Sequence, residues 1–566
     1  MQPVKLSSDH RARALAQLGS GEEIDVLVIG GGVVGAGAAL DAATRGLSVG
    51  LVEARDWAAG TSSRASKLIH GGLRYLEMLD FALVHEALRE RGLMIQRLAP
   101  HLVRPVPFLY PLSHRLWERP YVGAGVLLYD TMSGSSRISR GMPGHRHLSK
   151  RRALKVAPAL SPSALVGAVQ YWDAQVDDAR HTMSLVRTAA SYGALVANRA
   201  KVVRYLREGE RVVGAVVEDQ ESGERIEVRA RQVISATGVW TDETQALAEA
   251  SSVHVRASKG VHLLVPRERI DSASGLILRT EKSVLFVIPW GRHWIVGTTD
   301  TDWDLDKEHP TATAADIDYL LDHVNRVLSV PLTRDDIEGV YAGLRPLLSG
   351  SDDDTAKLSR EHLVGTPVPG LVVIAGGKYT TYRVMAKDAV DEAVRGMEDG
   401  AAVPASVTQD VPLVGADGYR ALWNRRAALA RQSGLSVSRI EQLLRRYGTL
   451  LDEVLSLIEA DPELAKPLPS SDAYLRAEVV YATTHEGARS VEDVLARRTR
   501  VSIESRDRGT DSARVTAALM GPVLGWDEDR IDREAEIYVR YVEAERRAQE
   551  APDDLAAVEA RTKQIA

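Results

Sequence analysis

The pattern of apolar and polar positions is clearest near the start of the chain. Residues 24–30, IDVLVIG, form a near-continuous apolar run of the kind that makes a buried parallel strand. The spacing turns helical through GGGVVGAGAALDAATRG and stops at Gly46, where a helix C-cap glycine would sit. LSVGLVEAR, residues 47–55, returns to strand, so strand, glycine turn, helix and strand make a βαβ unit. Between Ala194 and Gly238 β-rich runs alternate with Glu-Gly and Ser-Gly turns, which predicts hairpins. GVHLLVP, SVLFVIPW and HWIVGTTD read as strands of a separate antiparallel sheet, whereas residues 370–394 repeat the strand–glycine–helix pattern. A distant segment is therefore expected to complete the N-terminal fold.

After about Ala401 the pattern changes to a linker and then to Ala-, Glu-, Arg- and Leu-rich sequence with helical spacing. In RIEQLLRRYGTLLDEVLSLI, residues 439–458, Ile440, Leu443, Leu444 and Tyr447, then Leu451, Val454, Leu455 and Ile458, mark one helix face. The last 30 or so residues, highly charged, read as a solvated or fraying tail.

At 566 residues the chain is too long for one core, and two or three domains are expected. A net charge of −6 argues against a general nucleic-acid binder and points to a small partner. With no cysteine, disulfides, thiolate zinc sites, iron–sulfur clusters and a cysteine nucleophile are excluded, and no metal site is expected. The N-terminal residues contain no apolar stretch of signal-peptide length and no run of about 18 apolar residues occurs, so the expectation is a cytoplasmic protein that does not span a membrane.

Gly30, Gly32 and Gly35 form G-x-G-x-x-G directly after a strand and at a helix start, with Glu53 about 20 residues on, at the end of the next strand. Such glycines let a pyrophosphate approach the helix N-terminus, and the carboxylate can hold ribose hydroxyls. The glycines alone leave FAD and NAD open. VISATGVW, residues 233–240, supplies a second strand ending in small residues, Ala236, Thr237 and Gly238. VIAGGKYTTYR, residues 373–383, adds Gly376 and Gly377 at another helix start, suited to the pyrimidine side of a flavin. Three such elements in this order favour FAD.

Together with IGGGVVGAGAALDAATRGLSVGLVEA, the segments TSSRASKLIHGGLRYLE (61–77), VDDAR (176–180), KGVHLLVP, FVIPW, GTTD, GLRPL and GGKYTTYR resemble the FAD-dependent glycerol-3-phosphate dehydrogenases. The resemblance runs in order from about Asp25 to Arg383, and EDVLARRTR (492–500) in the C-terminal part is similar to the same family. One departure is Val239, where the family often has proline. The implied fold is α/β: a two-dinucleotide-binding-type FAD domain, an antiparallel-sheet substrate domain and an all-helical C-terminal domain. The boundaries follow as an N-terminal extension at 1–22, interleaved FAD and substrate domains over 23–400, a linker at 401–415 and the helical domain at 416–566. Segments at about 80–185 and 255–345 are assigned to the substrate domain.

What the resemblance implies is oxidation of sn-glycerol 3-phosphate to dihydroxyacetone phosphate, with electrons passed to a membrane quinone. The related oxidases, which use oxygen, share the core, so the acceptor is less determined than the donor. A phosphorylated polyol needs cationic recognition at one end and removal of a hydroxyl proton at the other. By resemblance Arg74, Tyr75, His262, Arg345, Lys378 and Thr380 line the substrate site, with His262, Arg345 and Lys378 as catalytic candidates. His262 suits proton removal, with Arg345 or a water as competitors; Lys378 could also stabilise a reduced flavin. His70 is a second base candidate, or a partner or covalent attachment point for the flavin. Thr61, Ser62, Ser63, Ser66, Lys67, His70 and Gly71 are expected to wrap the pyrophosphate and flavin edge, beside Lys378 and Thr380 from the later segment. Arg345, in a proline-flanked apolar run, needs a buried partner, which substrate or flavin could be.

Residues 114–134, HRLWERPYVGAGVLLYDTMSG, followed by the basic SRISRGMPGHRHLSKRR, read either as a surface for anionic lipid or as a buried helix beside a solvated loop. The expected placement is peripheral, on the cytoplasmic face, with a homodimer as an open option. The competing readings are an amine or amino-acid oxidase on the same fold and a nucleotide-binding regulatory protein without turnover. A zinc hydrolase would need a second histidine after His485-Glu486, and a serine hydrolase needs G-x-S-x-G in a strand–turn–helix setting; the chain has neither.

Overall fold

The computed structural model describes residues 3–72, 80–114, 117–134, 142–280, 284–349 and 361–565. The first apolar run becomes the strand Ile24–Ile29, buried at every position but one. It lies between Val49–Val52 and Arg225–Ser235 and runs parallel to both. The sheet extends through Leu371–Gly376 to His362–Val368 on one side and to Leu195–Ala197 on the other. Strands buried on both faces need cover on both. Helices Val33–Thr44, Asp178–Ser191 and Tyr382–Arg395 cover one face. The hairpin strands Ala200–Glu208 and Arg211–Asp219, with the end of helix Ser8–Leu18, cover the other. The small residues of Val33–Thr44 set how close these layers come: a Cβ on Gly37 would lie 3.1 Å from Ala386 Cβ.

A second sheet of ten strands stands beside the first. Its centre is the long strand Val255–Pro266, paired antiparallel with Gly339–Leu348 over ten residues and with His293–Gly297 and Thr301–Trp303 on its other side. Beyond these follow Val284–Trp290, Gly275–Arg279, Arg104–Leu112, Gly167–Gln175 and the two-residue strand Leu68–Ile69. One pairing, Gly275–Arg279 with Arg104–Leu112, is parallel; the other ladders in this sheet are antiparallel.

The C-terminal part is helical around two apolar cores, with one small hairpin of Pro467–Leu468 and Ser471–Leu475. The helix face expected over 439–458 is divided between Val437–Tyr447 and Leu451–Ala460. Gly448 makes the break at φ +57°, and a Cβ there would lie 1.9 Å from Gly415 O, so the close chain crossing requires glycine. The segment expected as a linker is tied down: Leu413 N donates to Leu98 O at 2.9 Å and Val414 N to Thr188 Oγ1 at 3.0 Å.

The expected solvated tail is instead two packed helices, Glu528–Ala548 and Asp554–Ile565. Its charges find partners: Arg561 pairs with Glu545 at 3.0 Å, and Asp554 pairs with the buried Lys259. Paired charges do not need water, which is why composition misled here. The N-terminal residues are likewise integrated, since Ser7 caps helix Ser8–Leu18 and Arg11 pairs with Asp219 at 2.5 Å.

Residues 118–134 form the helix Glu118–Gly134. Val126 and Tyr129 are fully buried on one face, while Trp117, Tyr121 and Leu127 are each more than half exposed. Among the described residues no helix is long and apolar enough to cross a membrane.

Candidate active site

The glycine turn behaves as its spacing predicts. Gly30 sits at φ +108°, and a Cβ on Gly35 would lie 1.9 Å from Gly30 O, so Gly35 serves the packing of helix on strand. A Cβ on Gly32 would approach Ser62 Oγ to 3.2 Å, and Val33 N donates to that hydroxyl at 2.9 Å. Glu53 accepts from Gly31 N at 2.6 Å and Arg55 N at 2.8 Å, which fixes its carboxylate against the turn. Burial pushes that carboxyl above its ordinary value, opposed by the two backbone donors.

These residues open onto a cavity of about 900 Å³. Gly30, Gly32 and Glu53 line it from the first βαβ unit, and Ala236, Thr237 and Gly238 from the second strand end. Thr61, Ser62, Ser66 and His70 line it from the loop, and Gly376, Gly377, Lys378 and Thr380 from the late segment. His262 and Arg345 contribute from the second sheet. Among the described residues, five cations, Arg55, Arg64, Lys201, Arg345 and Lys378, and three carboxylates, Glu53, Glu243 and Glu308, line it. The chain is acidic overall, yet this lining favours an anion.

Four of the expected cofactor residues stand outside that lining. Gly35 packs behind the turn, and Ser63 Oγ donates back to Gly60 O at 3.5 Å. Lys67 is fully buried: its ammonium donates to Asp178 Oδ1 at 2.9 Å and Ser63 O at 3.1 Å and faces the Tyr341 ring at 4.9 Å. Its positive charge neutralises protein carboxylates rather than facing the cavity. Gly71 packs against Leu88 and Tyr129, and its N–H donates to Tyr129 Oη at 2.8 Å. Tyr129 in turn donates to the buried Asp173 at 2.7 Å. Arg74 and Tyr75 lie outside the described residues.

The second sheet supplies the polar floor. Register places His262 opposite Tyr341 on one side and Gly297 on the other, and Ser258 opposite Arg345. His262 stacks on Tyr341 at 4.6 Å with the rings 7° from parallel, and its Nε2 lies 2.8 Å from Ser66 Oγ. A Cβ on Gly297 would come within 2.3 Å of the imidazole, so that glycine makes room for the ring. Burial, then the charges of Arg345 and Lys67, hold His262 well below its ordinary value, and the imidazole is neutral at pH 7.

Arg345 donates to Asp300 Oδ1 at 3.0 Å, to Ser258 Oγ at 3.2 Å, to Thr298 Oγ1 at 3.1 Å and to Thr299 O at 3.0 Å. The partner that its setting demands is therefore the G-T-T-D segment. Sequence reasoning quoted that segment without giving it a task, and it passed over Ser258 and Tyr341 altogether. A polar quartet directly after the apolar strand His293–Gly297 was the available signal. Thr380 bridges the two loops, accepting from His70 N at 3.2 Å and donating to His70 O at 3.1 Å.

Known proteins match this arrangement. Residues 25–391 match the family described as FAD dependent oxidoreductase, and residues 406–531 the family described as C-terminal domain of alpha-glycerophosphate oxidase. Glycerol-3-phosphate dehydrogenase 2 of Mycobacterium tuberculosis is 57% identical over 553 residues, covering 98% of this chain and 93% of that protein. The mitochondrial glycerol-3-phosphate dehydrogenase of Mus musculus is 36% identical over 564 residues, covering 96% of this chain and 76% of its own length. Among solved structures, glycerol-3-phosphate dehydrogenase from Bacillus halodurans complexed with FAD superimposes with a TM-score of 0.77 at 27% identity, covering 95% of this chain and 98% of that one.

Proposed function

The chain belongs to the FAD-dependent glycerol-3-phosphate dehydrogenases, and from that premise we propose that it oxidises sn-glycerol 3-phosphate to dihydroxyacetone phosphate and passes the electrons to a membrane quinone. The observation that carries the reading is a neutral, buried histidine and two cations on the same cavity as the glycine turn. The donor set fits FAD: a glycine turn in which Gly30 and Gly35 leave no room for a side chain, a carboxylate at the end of the second strand, and an excess of cations for the pyrophosphate. Gly30, Gly32, Glu53, Ser62 and the Gly376-Gly377 segment would hold it. When bound, FAD supplies the acceptor of two electrons.

The protein's own part is recognition and proton transfer. Lys378 and Arg345 attract the phosphate-bearing substrate, Lys378 as a point charge and Arg345 through a guanidinium already oriented by Asp300 and Thr298. His262, neutral, takes the proton of the C2 hydroxyl at Nε2, where the Ser66 hydroxyl already bonds and can relay it. Tyr341 keeps the ring in plane for that transfer. Thr380 keeps His70 at the cavity wall. Arg74 and Tyr75 belong to the same substrate reading.

Membrane association belongs to the proposal through the exposed Trp117, Tyr121 and Leu127 and the exposed basic residues Arg146, Lys150 and Arg151. This enzyme is expected to sediment with anionic vesicles at low salt and to reduce a soluble quinone analogue; a protein that stays in the supernatant would remove the membrane part. The substrate reading is tested by an anaerobic absorbance spectrum. Glycerol 3-phosphate should bleach the flavin band, while sn-glycerol 1-phosphate and glycerol leave it; no bleaching by any of them would remove the substrate.

A further inference from the structure

Two sequence motifs have no task in this scheme, V-D-D-A-R at residues 176–180 and E-D-V-L-A-R-R-T-R at residues 492–500. In the fold they meet. Arg500 Nη2 donates to Asp177 Oδ1 and Asp178 Oδ1, each at 2.5 Å, and its Nη1 donates to Ser63 O at 3.2 Å. Asp178 also receives Lys67 Nζ at 2.9 Å and, through Oδ2, Ala65 N at 2.9 Å. The side chains of Arg500, Lys67 and Asp178 are each at most 2% exposed. Two cations and two carboxylates thus balance one another, three of the four out of reach of water and Asp177 at its edge.

We propose that Arg500 and Asp178 are positioning residues for the reaction: with Lys67 they fix residues 63–67, and through them Ser66 and Tyr341 against His262. Among the described residues, no residue beyond Met385 lines the cavity, so the C-terminal domain acts on the chemistry through the residues it touches, and this connection ends on the loop that carries Ser66. Each link is a contact in the structure. Tyr341 Oη donates to Ala65 O at 3.0 Å, and its ring stacks on His262. Ser66, between Ala65 and Lys67, bonds the imidazole at 2.8 Å. Lys67 holds φ +58°, a left-handed backbone that non-glycine residues avoid, and its ammonium is pinned on both sides, to Asp178 and to Ser63 O.

A purely stabilising role explains this less well, because a buried ion-pair network adds little stability over packed apolar side chains. What such a network does supply is one geometry. Without it residues 63–67 lie between the three-residue turn Thr61–Ser63 and the two-residue strand Leu68–Ile69, held by single contacts such as Tyr341 Oη to Ala65 O and Val176 N to Lys67 O.

The proposal rests on the proposed oxidation of glycerol 3-phosphate with His262 as base. The test compares Arg500→Met, Arg500→Lys and Asp178→Asn with Arg187→Met, which breaks another buried contact of the C-terminal domain, to Tyr481 and Glu453. FAD content, the visible circular dichroism of the bound flavin, and the limiting rate and KM of anaerobic reduction by glycerol 3-phosphate are measured on each holoenzyme. Arg500→Met and Asp178→Asn are expected to keep FAD, to change its dichroism and to lose roughly 30-fold or more in limiting rate with KM changed about threefold or less, as for a misplaced reacting group. Arg500→Lys, which keeps the charge, should recover part of that loss. Arg187→Met should keep both the wild-type dichroism and the wild-type rate per flavin.

The proposal is overturned by FAD-replete Arg500 and Asp178 variants with wild-type rate, by an equal rate loss in Arg187→Met, or by variants that all lose FAD and fold together. Failure of the underlying reading looks different: the wild-type flavin would then not be bleached by glycerol 3-phosphate, while the dichroism of the variants would still report the loop.

Discussion

The two walls of the cavity are built by different means. His262 and Arg345 stand on strands joined by a ten-residue backbone ladder, whose register places each side chain opposite a named neighbour. The facing segment, residues 61–72, has almost no ladder and is held by side chains that arrive from far along the chain, Asp178 and Arg500 above all. A ladder distributes its support over many equivalent bonds and tolerates a change of side chain except where space runs out. A charge network concentrates support in a few groups, each of which leaves a buried ion without its partner when removed. The loop should therefore be the more fragile wall, although it contains fewer of the groups proposed to do chemistry.

The largest expected effect tests the premise behind the charge-held wall at a buried pair outside residues 61–72. Glu486→Ala leaves Arg180, which Glu486 binds through both oxygens deep in the domain contact, buried with one weaker acceptor. A loss of about 3–5 kcal/mol in the stability of the holoenzyme to urea is expected. A loss below about 1 kcal/mol would break the contrast between the walls.

On the ladder side the vulnerable point is a glycine. Gly297→Ala places a methyl 2.3 Å from the imidazole and should cost about 1–3 kcal/mol by overpacking, with a rate loss because His262 must move. Unchanged activity in this variant would mean that His262 does not need its present position.

Ser66→Ala connects the walls and should cost about 1 kcal/mol, or roughly fivefold in limiting rate, with FAD content unchanged. The pH profile sharpens the same point. His262 sits well below 6.5, chiefly through burial, so the neutral base persists and the rate should stay level as pH falls through 6.5. An acid limb centred at or above 6.5 would show either that burial does not hold this imidazole neutral or that another group is the base.

The smallest effect belongs to the last helix. Asp554→Asn removes one of two carboxylates from Lys259, and Asp316 remains at 2.6 Å, so less than about 1 kcal/mol is expected. A change in activity here would extend the loop's dependence on distant charges to the ladder wall as well.

Backbone rules explain what could be read without the fold. Gly30 and Gly35 are recognisable because turn and packing leave no alternative residue, and the strands around them because apolar runs have few other uses. The family resemblance pointed to His262, Arg345, Lys378 and Thr380, and all four line the cavity. Lys67 was drawn to the cofactor by its neighbours in sequence, yet it turns inward to Asp178; alternation along a chain does not say which way a loop side chain points.

Arg345 needs a partner that the sequence does not name, because Asp300, in the connection between His293–Gly297 and Thr301–Trp303, meets Arg345 only where Thr301–Trp303 and Gly339–Leu348 flank Val255–Pro266 in the sheet. The charged tail was misread for the same reason, since whether Asp554 is solvated depends on a lysine 295 residues earlier. Local pattern, then, determined the elements, the nucleotide turn and the family. Tertiary structure alone decided which charges meet, because the energy of an ion pair depends on distance and burial, and neither is a property of position along the chain.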